Sequence, residues 1–204
     1  MSARGSSVRR AQKRAGPRPA RGDPGDTRAR LVMAAAAEIE QHGYFGTDTN
    51  RIARAAGYAP GTFYKHFADK RAVLLAVYGE WVTREWAGLA EVAGRDASVE
   101  DTALALADAV IAHHRAWPGF RASLRALVAT DPVVRKAHRA WRRRQLATLR
   151  NWTGRRDAAP ALALLTIERV ADALADGEAS SLGLSEDAAR NHVADQIAGL
   201  LRRG

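Results

Sequence analysis

The chain of 204 residues is 47% apolar and 26% charged, a balance that supports one medium domain or a small domain joined to a larger one. It contains no cysteine, which excludes disulfides, thiol nucleophiles and thiolate metal sites. No apolar run is long enough to span a membrane, and the basic N-terminus lacks the apolar stretch of a secretory signal, so we expect a cytoplasmic protein.

The positive charge is concentrated at the N-terminus. Seven Lys and Arg residues against one Asp give residues 1–25 a charge of +6, out of +10 for the whole chain. The segment is rich in Gly, Pro, Ser and Ala, so residues 1–24 are predicted to form a disordered basic arm. Such an arm suggests a polyanion as partner, most often nucleic acid; the alternative is a solvated tail without function.

The first predicted helix carries an apolar stripe that includes Leu31 and Ile39 at helical spacing. It ends at His42, where Gly43 supplies the left-handed residue that commonly follows a helix. The pattern then predicts two short helices, the first opened by Thr47, and one long helix, over about residues 48–56, 60–67 and 70–94.

The rest of the chain also has a helical pattern. Ser98 and Asp101 resemble a capping pair at one helix start, and Asp131 followed by Pro132 opens another helix. The segment 117–119, Trp-Pro-Gly, interrupts the chain between them. β-Branched residues are few, so no strand is predicted, and the fold class is all-α with about nine helices. The last three of these helices cover about residues 132–152, 158–180 and 185–202.

Residues 43–70, GYFGTDTNRIARAAGYAPGTFYKHFADK, contain the pattern that points to a function. Two short helices joined by a tight glycine-containing turn, after an amphipathic helix, make a helix-turn-helix unit. In the second short helix Phe63 and Phe67 lie four residues apart and are predicted to point inward. The outward residues are small, polar or basic, which suits entry into the major groove of DNA. They are Gly61, Thr62, Tyr64, Lys65 and His66.

This segment resembles the TetR family of bacterial transcriptional regulators over about residues 25–85. The resemblance implies a three-helix DNA-binding head in residues 25–85 and a larger, variable helical body in residues 86–204. In this family the body dimerises and usually binds a small molecule. The matching residues are Gly43-Tyr44, Thr47, Ile52-Ala53, Ala56-Gly57, Gly61-Thr62-Phe63-Tyr64, His66-Phe67 and Lys70.

The resemblance also implies roles for individual residues in DNA binding. The recognition helix would be Pro60 to Phe67, in which Thr62, Lys65 and His66 match positions that face the groove. Tyr64 and Lys70 match positions that hold phosphates. The implied DNA-binding set is Thr47, Thr49, Asn50, Pro60, Gly61, Thr62, Tyr64, Lys65, His66 and Lys70.

Two residues of the turn depart from the family pattern. Tyr58 and Ala59 stand where the family usually has a valine followed by serine or threonine. Ala59 cannot cap the recognition helix, and the loss of a cap costs about 1 kcal/mol. Pro60 is expected to offset part of that cost by fixing φ at the first helical position.

In the body, large aromatic residues interrupt Ala-rich helices and could line a ligand pocket; the alternative is that they fill gaps between helices. His113 and His114 diverge around a helix, which makes a poor metal pair, so we expect no metal and no cofactor. The stretch 135–156 holds nine Lys and Arg residues and no acid. It is expected to be a solvated face, or to turn one arginine inward towards an anionic ligand. The candidate pocket residues are Trp81, Trp86, His113, Trp117, Phe120 and Trp141.

The sequence has no set of residues that would support catalysis. It lacks an HExxH motif, a Gly-rich phosphate loop and a recognisable carboxylate pair, so we predict that it is not an enzyme. The predicted function is a transcriptional repressor, a homodimer that binds a near-palindromic double-stranded DNA operator and is released by a small-molecule effector. The alternative is a ligand-independent DNA-binding regulator or an architectural DNA-binding protein.

Overall fold

The computed structural model describes residues 24–202, and the predicted basic arm up to residue 23 lies outside the described residues. Between residues 24 and 202 the fold is all-α, as predicted, with ten helices and no strand. Across this range no helix combines the length and the hydropathy needed to cross a membrane. In chain order the helices are α1 (Pro24–His42), α2 (Thr49–Ala55), α3 (Pro60–Phe63), α4 (Lys70–Ala93), α5 (Val99–Arg115), α6 (Pro118–Thr130), α7 (Pro132–Thr153), α8 (Ala159–Ala175), α9 (Glu178–Ser181) and α10 (Glu186–Leu201).

The tenth helix arises at Gly177. The sequence pattern predicted a single helix over residues 158–180, but Gly177 has a φ of 76° and separates α8 from the single-turn α9. Glycine adopts this left-handed conformation without the steric cost that other residues meet. An isolated glycine between two helical patterns gives only a weak signal, because many helices tolerate one.

The head is formed by α1, α2, α3 and the first turns of α4 around one core. Ile39 of α1, Ile52 of α2 and Phe63 of α3 are fully buried in it. Ala53 is also fully buried, and its small side chain leaves room for α3 to pack close to α2. Leu74 of α4 completes the core, so the helix-turn-helix is supported by both of the longer helices.

This core continues into the body through α6. Phe120, Leu124 and Leu127 of α6 belong to the same cluster of buried side chains as the head residues. One buried core therefore contains residues from both sides of residue 85. The domain boundary at that residue stays a prediction.

The start of α6 is held by α1. Trp117 precedes α6 and provides no side-chain cap. Instead, the carboxylate of Glu40 near the end of α1 accepts hydrogen bonds from the backbone N–H groups of Gly119 (3.1 Å) and Phe120 (2.8 Å). These are among the N–H groups that a helix leaves without internal partners, and the negative charge suits the positive end of the helix dipole.

A second set of hydrogen bonds reinforces this junction. The hydroxyl of Ser123 accepts from the backbone N–H of Tyr44 (2.9 Å) and donates to the carbonyl of Gly119 (2.9 Å). The loop after α1 is therefore bound to the first turn of α6. Both bonds are partly buried, which increases the cost of breaking either one.

The rest of the body packs through small side chains. Ala103 and Ala107 of α5 share a buried cluster with Val193 and Ala194 of α10, and Ala171 of α8 belongs to a neighbouring cluster. Alanine at these contacts lets the helices approach closely, which explains how an Ala-rich sequence forms a dense body.

Two predicted helix starts are confirmed by their caps. Ser98 accepts a hydrogen bond from the N–H of Asp101 (3.0 Å) at the start of α5. Asp131 accepts from the N–H groups of Val133 (2.8 Å) and Val134 (3.2 Å) at the start of α7. Both are local side-chain to backbone bonds, which is why the sequence alone could predict them.

Substituting Gly119→Ala should destabilise the protein, because a Cβ at this position would lie 2.1 Å from the carbonyl oxygen of Glu40. We expect the free energy of unfolding to fall by about 1–3 kcal/mol, the usual cost of overpacking. Chemical denaturation followed by circular dichroism measures it. Gly88→Ala is the control, since a Cβ there meets open space within α4. The control should be neutral or stabilising, and equal effects of the two substitutions would contradict the close contact between α1 and α6.

Candidate functional site

The turn between α2 and α3 is set by Gly57, whose φ is 83°. Its N–H bonds to the carbonyl of Arg54 (3.0 Å), and the N–H of Tyr58 bonds to the carbonyl of Ala53 (2.9 Å). This pair of bonds is the usual way in which a glycine ends a helix. The predicted stop at Gly57 is confirmed, and it fixes the direction in which the chain enters α3.

The second short helix is shorter than the sequence predicted. α3 ends at Phe63, and the chain continues in tight turns in which the N–H groups of His66 and Phe67 both bond to the carbonyl of Phe63 (3.0 Å each). Ala59 provides no side-chain cap and Pro60 stands at the start, both as expected. The buried rings of Phe63 and Phe67 anchor this segment, so residues 60–67 keep one inner and one outer face.

The residues predicted to bind DNA differ in how open they are. Five are exposed, four are half-buried and one is buried, so they do not form one uniform surface. The exposed ones are Asn50, Pro60, Gly61, Tyr64 and Lys65; the half-buried ones are Thr49, Thr62, His66 and Lys70; Thr47 is buried.

The exposed end of this segment is tied to the start of α2. The hydroxyl groups of Tyr64 and Thr49 lie 2.9 Å apart and share a hydrogen bond. The Tyr64 side chain is nevertheless 58% exposed, so its ring and hydroxyl also face outward. Lys65 lies next to it, exposed, and its ammonium has no partner among the described residues.

Thr47 does not offer its side chain to this surface. It is only 2% exposed, and its hydroxyl donates a hydrogen bond to the carbonyl of Glu38 in α1 (3.0 Å). Asp48 is the N-cap of α2 and accepts from the N–H of Arg51 (2.8 Å), so the prediction that Thr47 opens this helix is wrong. The hydroxyl that the resemblance placed near the DNA backbone is used inside the head.

Lys70 closes the loop between α1 and α2. Its ammonium donates to the backbone carbonyls of Tyr44 and Thr47, at 2.7 Å each, and lies 4.2 Å from the centre of the Tyr44 ring. Burial lowers the pKa of Lys70, although the charge of Asp48 opposes the shift. An ammonium group has three donors, so one remains beside these two bonds.

Two features of the head were not predicted from the sequence. The guanidinium of Arg51 contacts both Glu38 and His42, which ties α2 to α1. Phe45, in the loop beside Tyr44, is 75% exposed. The first feature joins residues of different helices, and the second lies outside any periodic stretch, so neither produces a local pattern in the sequence.

The body contains a cavity of about 420 Å³ between α4, α5, α7, α8 and α10. Of the six candidate pocket residues, Trp81 and Trp86 lie in its wall. His114 and Trp152 also lie there. The volume falls in the range of small-molecule sites, roughly 300–1,000 Å³.

The other four candidates do not line this cavity. His113 packs against Trp81 in a tilted arrangement with ring centres 4.4 Å apart, and the fully buried Phe120 belongs to the head core. Trp117 packs edge-on against Phe120, and Trp141 packs against the buried Tyr78. These residues fill gaps between helices, which was the alternative interpretation. Of the two adjacent histidines, His114 lines the cavity and His113 does not.

A buried ionic network borders the cavity around His114, which is 3% exposed. Its Nδ1 lies 2.8 Å from Asp172, and its Nε2 lies 3.5 Å from Glu85. Burial alone would lower the pKa of His114, but the hydrogen bonds and charges of the two carboxylates outweigh it and raise the pKa to about 9. Arg121 of α6 also pairs with Asp172 and donates to the carbonyl of His114 (2.9 Å).

This network joins α4, α5, α6 and α8 through charged groups that are removed from water. Removing one charged side chain of such a network leaves the others unpaired in the protein interior, which solvates charge poorly. Residues 24–202 contain no group of three or more His, Asp or Glu side chains that could hold a metal ion.

The fold has a helix-turn-helix head, in which the outer face of α3 is exposed, on a helical body. The sequence profile of bacterial regulatory proteins of the tetR family matches residues 31–77, which include α2, the turn and α3. Over this segment the resemblance to the TetR family found in the sequence is confirmed.

Named relatives point to the same resemblance. The transcriptional repressor AcnR of Corynebacterium glutamicum is 30% identical over 112 residues, which are 55% of this chain. The match spans only about half of that relative, 56% of its length. Two solved structures share the fold. GusR of Salmonella enterica has a TM-score of 0.66 at 20% identity, over 89% of this chain and 98% of its own. A TetR-family transcriptional regulator of Streptomyces coelicolor has a TM-score of 0.62 at 21% identity, over 87% of this chain and 95% of its own.

Replacing Lys70 by alanine should destabilise the head even without any ligand. The substitution leaves the carbonyls of Tyr44 and Thr47 without their donor in a partly buried loop, which costs about 1–3 kcal/mol. Thermal unfolding measured by circular dichroism should show a lower Tm. Lys65→Ala is the matched control, since Lys65 has no partner in the described part of the chain. A Tm for Lys70→Ala equal to that of the control would contradict this structural role.

Proposed function

We propose that the protein is a sequence-specific DNA-binding transcriptional regulator that represses by occupying a near-palindromic operator. The observation that carries the proposal is the outer face of residues 60–67, where Gly61, Tyr64 and Lys65 are exposed beside the start of α2. The family is one of regulators rather than enzymes, and the named relative AcnR is a repressor, which supports the same direction of effect.

Gly61 adds an argument from sterics. A Cβ at this position would meet open space, so the fold itself does not require glycine there. A glycine on the outer face instead allows the backbone of α3 to approach a partner closely, as the floor of the major groove demands. Lys65, four residues further on, would then extend an unpaired ammonium towards base edges.

Tyr64 and Thr49 support the positioning of this helix on DNA. Their shared hydrogen bond connects two elements that would meet the same phosphate backbone. Contacts of this kind fix register and orientation but do not carry sequence information. Thr62 and His66 are half-buried at the edge of the same surface, where they would contribute through their polar atoms only.

The body would supply regulation by a small molecule. The cavity of about 420 Å³ has aromatic and aliphatic walls with a few polar groups, the usual composition of a ligand site. α4 runs from the head to this cavity, and α6 carries both the head junction and the ionic network. A ligand that binds more tightly to one arrangement of these helices would change the affinity for DNA.

A homodimer would place two helix-turn-helix heads on one operator. One helix-turn-helix contacts only a few base pairs, so two heads are needed for a useful specificity. Leu162 and Leu165 on α8 are 60% and 61% exposed, and α10 packs beside α8. We infer that α8 and α10 of two chains form the dimer contact, which would bury these leucines.

Substituting Lys65→Ala should change which DNA sequence is preferred. A base contact by this ammonium contributes about 1–3 kcal/mol of discrimination. We expect selection from random DNA duplexes to recover a site with a relaxed position, while the salt dependence of binding changes little. Lys136→Ala is the control, because Lys136 is an exposed lysine on α7. An unchanged consensus for Lys65→Ala would contradict a base-reading role.

Substituting Leu165→Glu should weaken the dimer. Burying a carboxylate against an apolar partner surface is strongly unfavourable, so sedimentation velocity should show a shift towards monomer at micromolar concentration. Val133→Glu serves as control, since Val133 is an exposed apolar residue on α7. If the wild-type protein sedimented as a monomer with and without DNA, the dimer proposal would be wrong.

A further inference from the structure

The charged residues of the cavity lie in its wall beside Tyr78 and Trp81. Two are acids, Glu85 and Glu168, and two are cations, His114 and Arg142. The remaining wall is mostly apolar and provides the space for a hydrophobic ligand body. Its larger apolar residues include Trp86, Leu89, Leu149, Trp152 and Ile197.

Both cations are already satisfied by groups of the same chain. Arg142 forms an ion pair with Glu168 and donates to the carbonyl of Leu164 (3.1 Å) and the side-chain oxygen of Gln145 (3.3 Å). The two nitrogens of His114 face the carboxylates of the ionic network. Arg142 is thus an arginine of the basic stretch that turns inward, but it meets a carboxylate of the protein. An anionic ligand would have to displace one of these acids.

Glu168 retains an unused acceptor at the cavity. Its Oε2 pairs with Arg142, while its Oε1 has no hydrogen-bond partner among residues 24–202. The side chain is 34% exposed and lies in the cavity wall. Burial raises the pKa of Glu168; the charges of Arg142 and His114 lower it, and those of Asp172 and Glu85 raise it.

Aromatic rings stand next to this acceptor. Tyr78 and Trp81 line the cavity with Glu168, and their ring centres are 6.4 Å apart in a stacked arrangement. His138 packs against Tyr78 and His113 against Trp81, so these rings are held in place and form an apolar wall beside the acceptor. The same three residues also border a neighbouring cavity of about 250 Å³, so Glu168 is accessible from both.

We propose that the cavity binds a hydrophobic molecule with one protonated amine, whose ammonium group bonds to Oε1 of Glu168 beside the rings of Tyr78 and Trp81. The apolar body of the ligand lies in the cavity against Trp86 and Trp152, whose rings pack on each other with centres 5.1 Å apart. That such an amine acts as the effector rests on the proposed function; that the cavity binds it does not. The ammonium group of the ligand supplies a hydrogen-bond donor and a positive charge to Oε1 of Glu168.

The test uses three molecules with one hydrophobic body and different head groups. Isothermal titration calorimetry on the full chain, without DNA, compares 4,4-diphenylbutylamine, 4,4-diphenylbutan-1-ol and 4,4-diphenylbutanoate. A hydrogen bond to a charged partner predicts that the amine binds roughly tenfold tighter than the alcohol, or more. The carboxylate should bind weakest. Equal affinities for amine and alcohol, a carboxylate that binds as tightly as the amine, or no binding of the amine at millimolar concentration would each overturn the proposal.

Two variants locate the amine. Glu168→Gln removes the charge and should reduce the amine to the affinity of the alcohol. Glu178→Gln also removes a carboxylate paired with an arginine, but on the exposed surface, and should leave all three affinities unchanged. An amine preference that survives Glu168→Gln would overturn the assignment to this residue. If Glu168→Gln does not fold, as its helical circular dichroism would show, the wild-type series decides the ligand class alone.

These results are independent of DNA binding. Preferential binding of the amine supports the proposed ligand class whether or not the compound releases DNA. Release is tested separately by fluorescence anisotropy with a selected operator, and its failure would concern the effector role rather than the chemistry of the cavity.

Discussion

The junction between α1 and α6 is the contact on which the arrangement of head and body depends. Glu40 supplies the cap that α6 lacks in its own sequence, and Gly119 allows the two backbones to approach within contact distance. The side chains of α6 then continue the head core, from Phe120 to Leu127. A helix-turn-helix this small would have little core of its own, so its stability and its orientation are both shared with the body.

The same helices that support the head also form or border the cavity. α4 contributes Leu74 to the head core and, two and three turns later, Trp81 and Glu85 to the cavity wall. α6 contributes Phe120 to the head core and Arg121 to the ionic network. Adjacent residues on one helix thus serve the two regions. Packed cores yield by discrete shifts rather than by smooth deformation, so a ligand that moves either helix would affect the position of α3.

The sequence predicted the parts of this molecule that depend on neighbouring residues. Gly57 ends α2, and Ser98 and Asp131 start α5 and α7, because these signals involve backbone groups only a few residues away. The helix-turn-helix and its inward phenylalanines follow from the same short-range logic. The phosphate contact of Lys70 stays a prediction, and its hydrogen bonds to the preceding loop gave no signal in the sequence.

The features that could not be predicted join residues far apart in the chain. Nothing near Glu40 indicates that it caps a helix almost 80 residues later, and nothing near Arg142 indicates Glu168 as its partner. The choice of His114 over His113 as the residue at the cavity depends on the rotation of α5 against α8. These pairings are fixed by packing and by the cost of leaving a buried charge unpaired, and both are properties of the folded chain.

The central claim is that residues 60–67 of two chains read DNA together. Selection of binding sites from random duplexes by the full-length protein, followed by footprinting on the recovered sequence, measures it most directly. The account predicts one enriched, near-palindromic site whose half-sites lie about one helical turn apart, roughly 34–36 Å, or a little more. Recovery of no enriched sequence, or of a footprint that grows with protein concentration without a defined length, would contradict it.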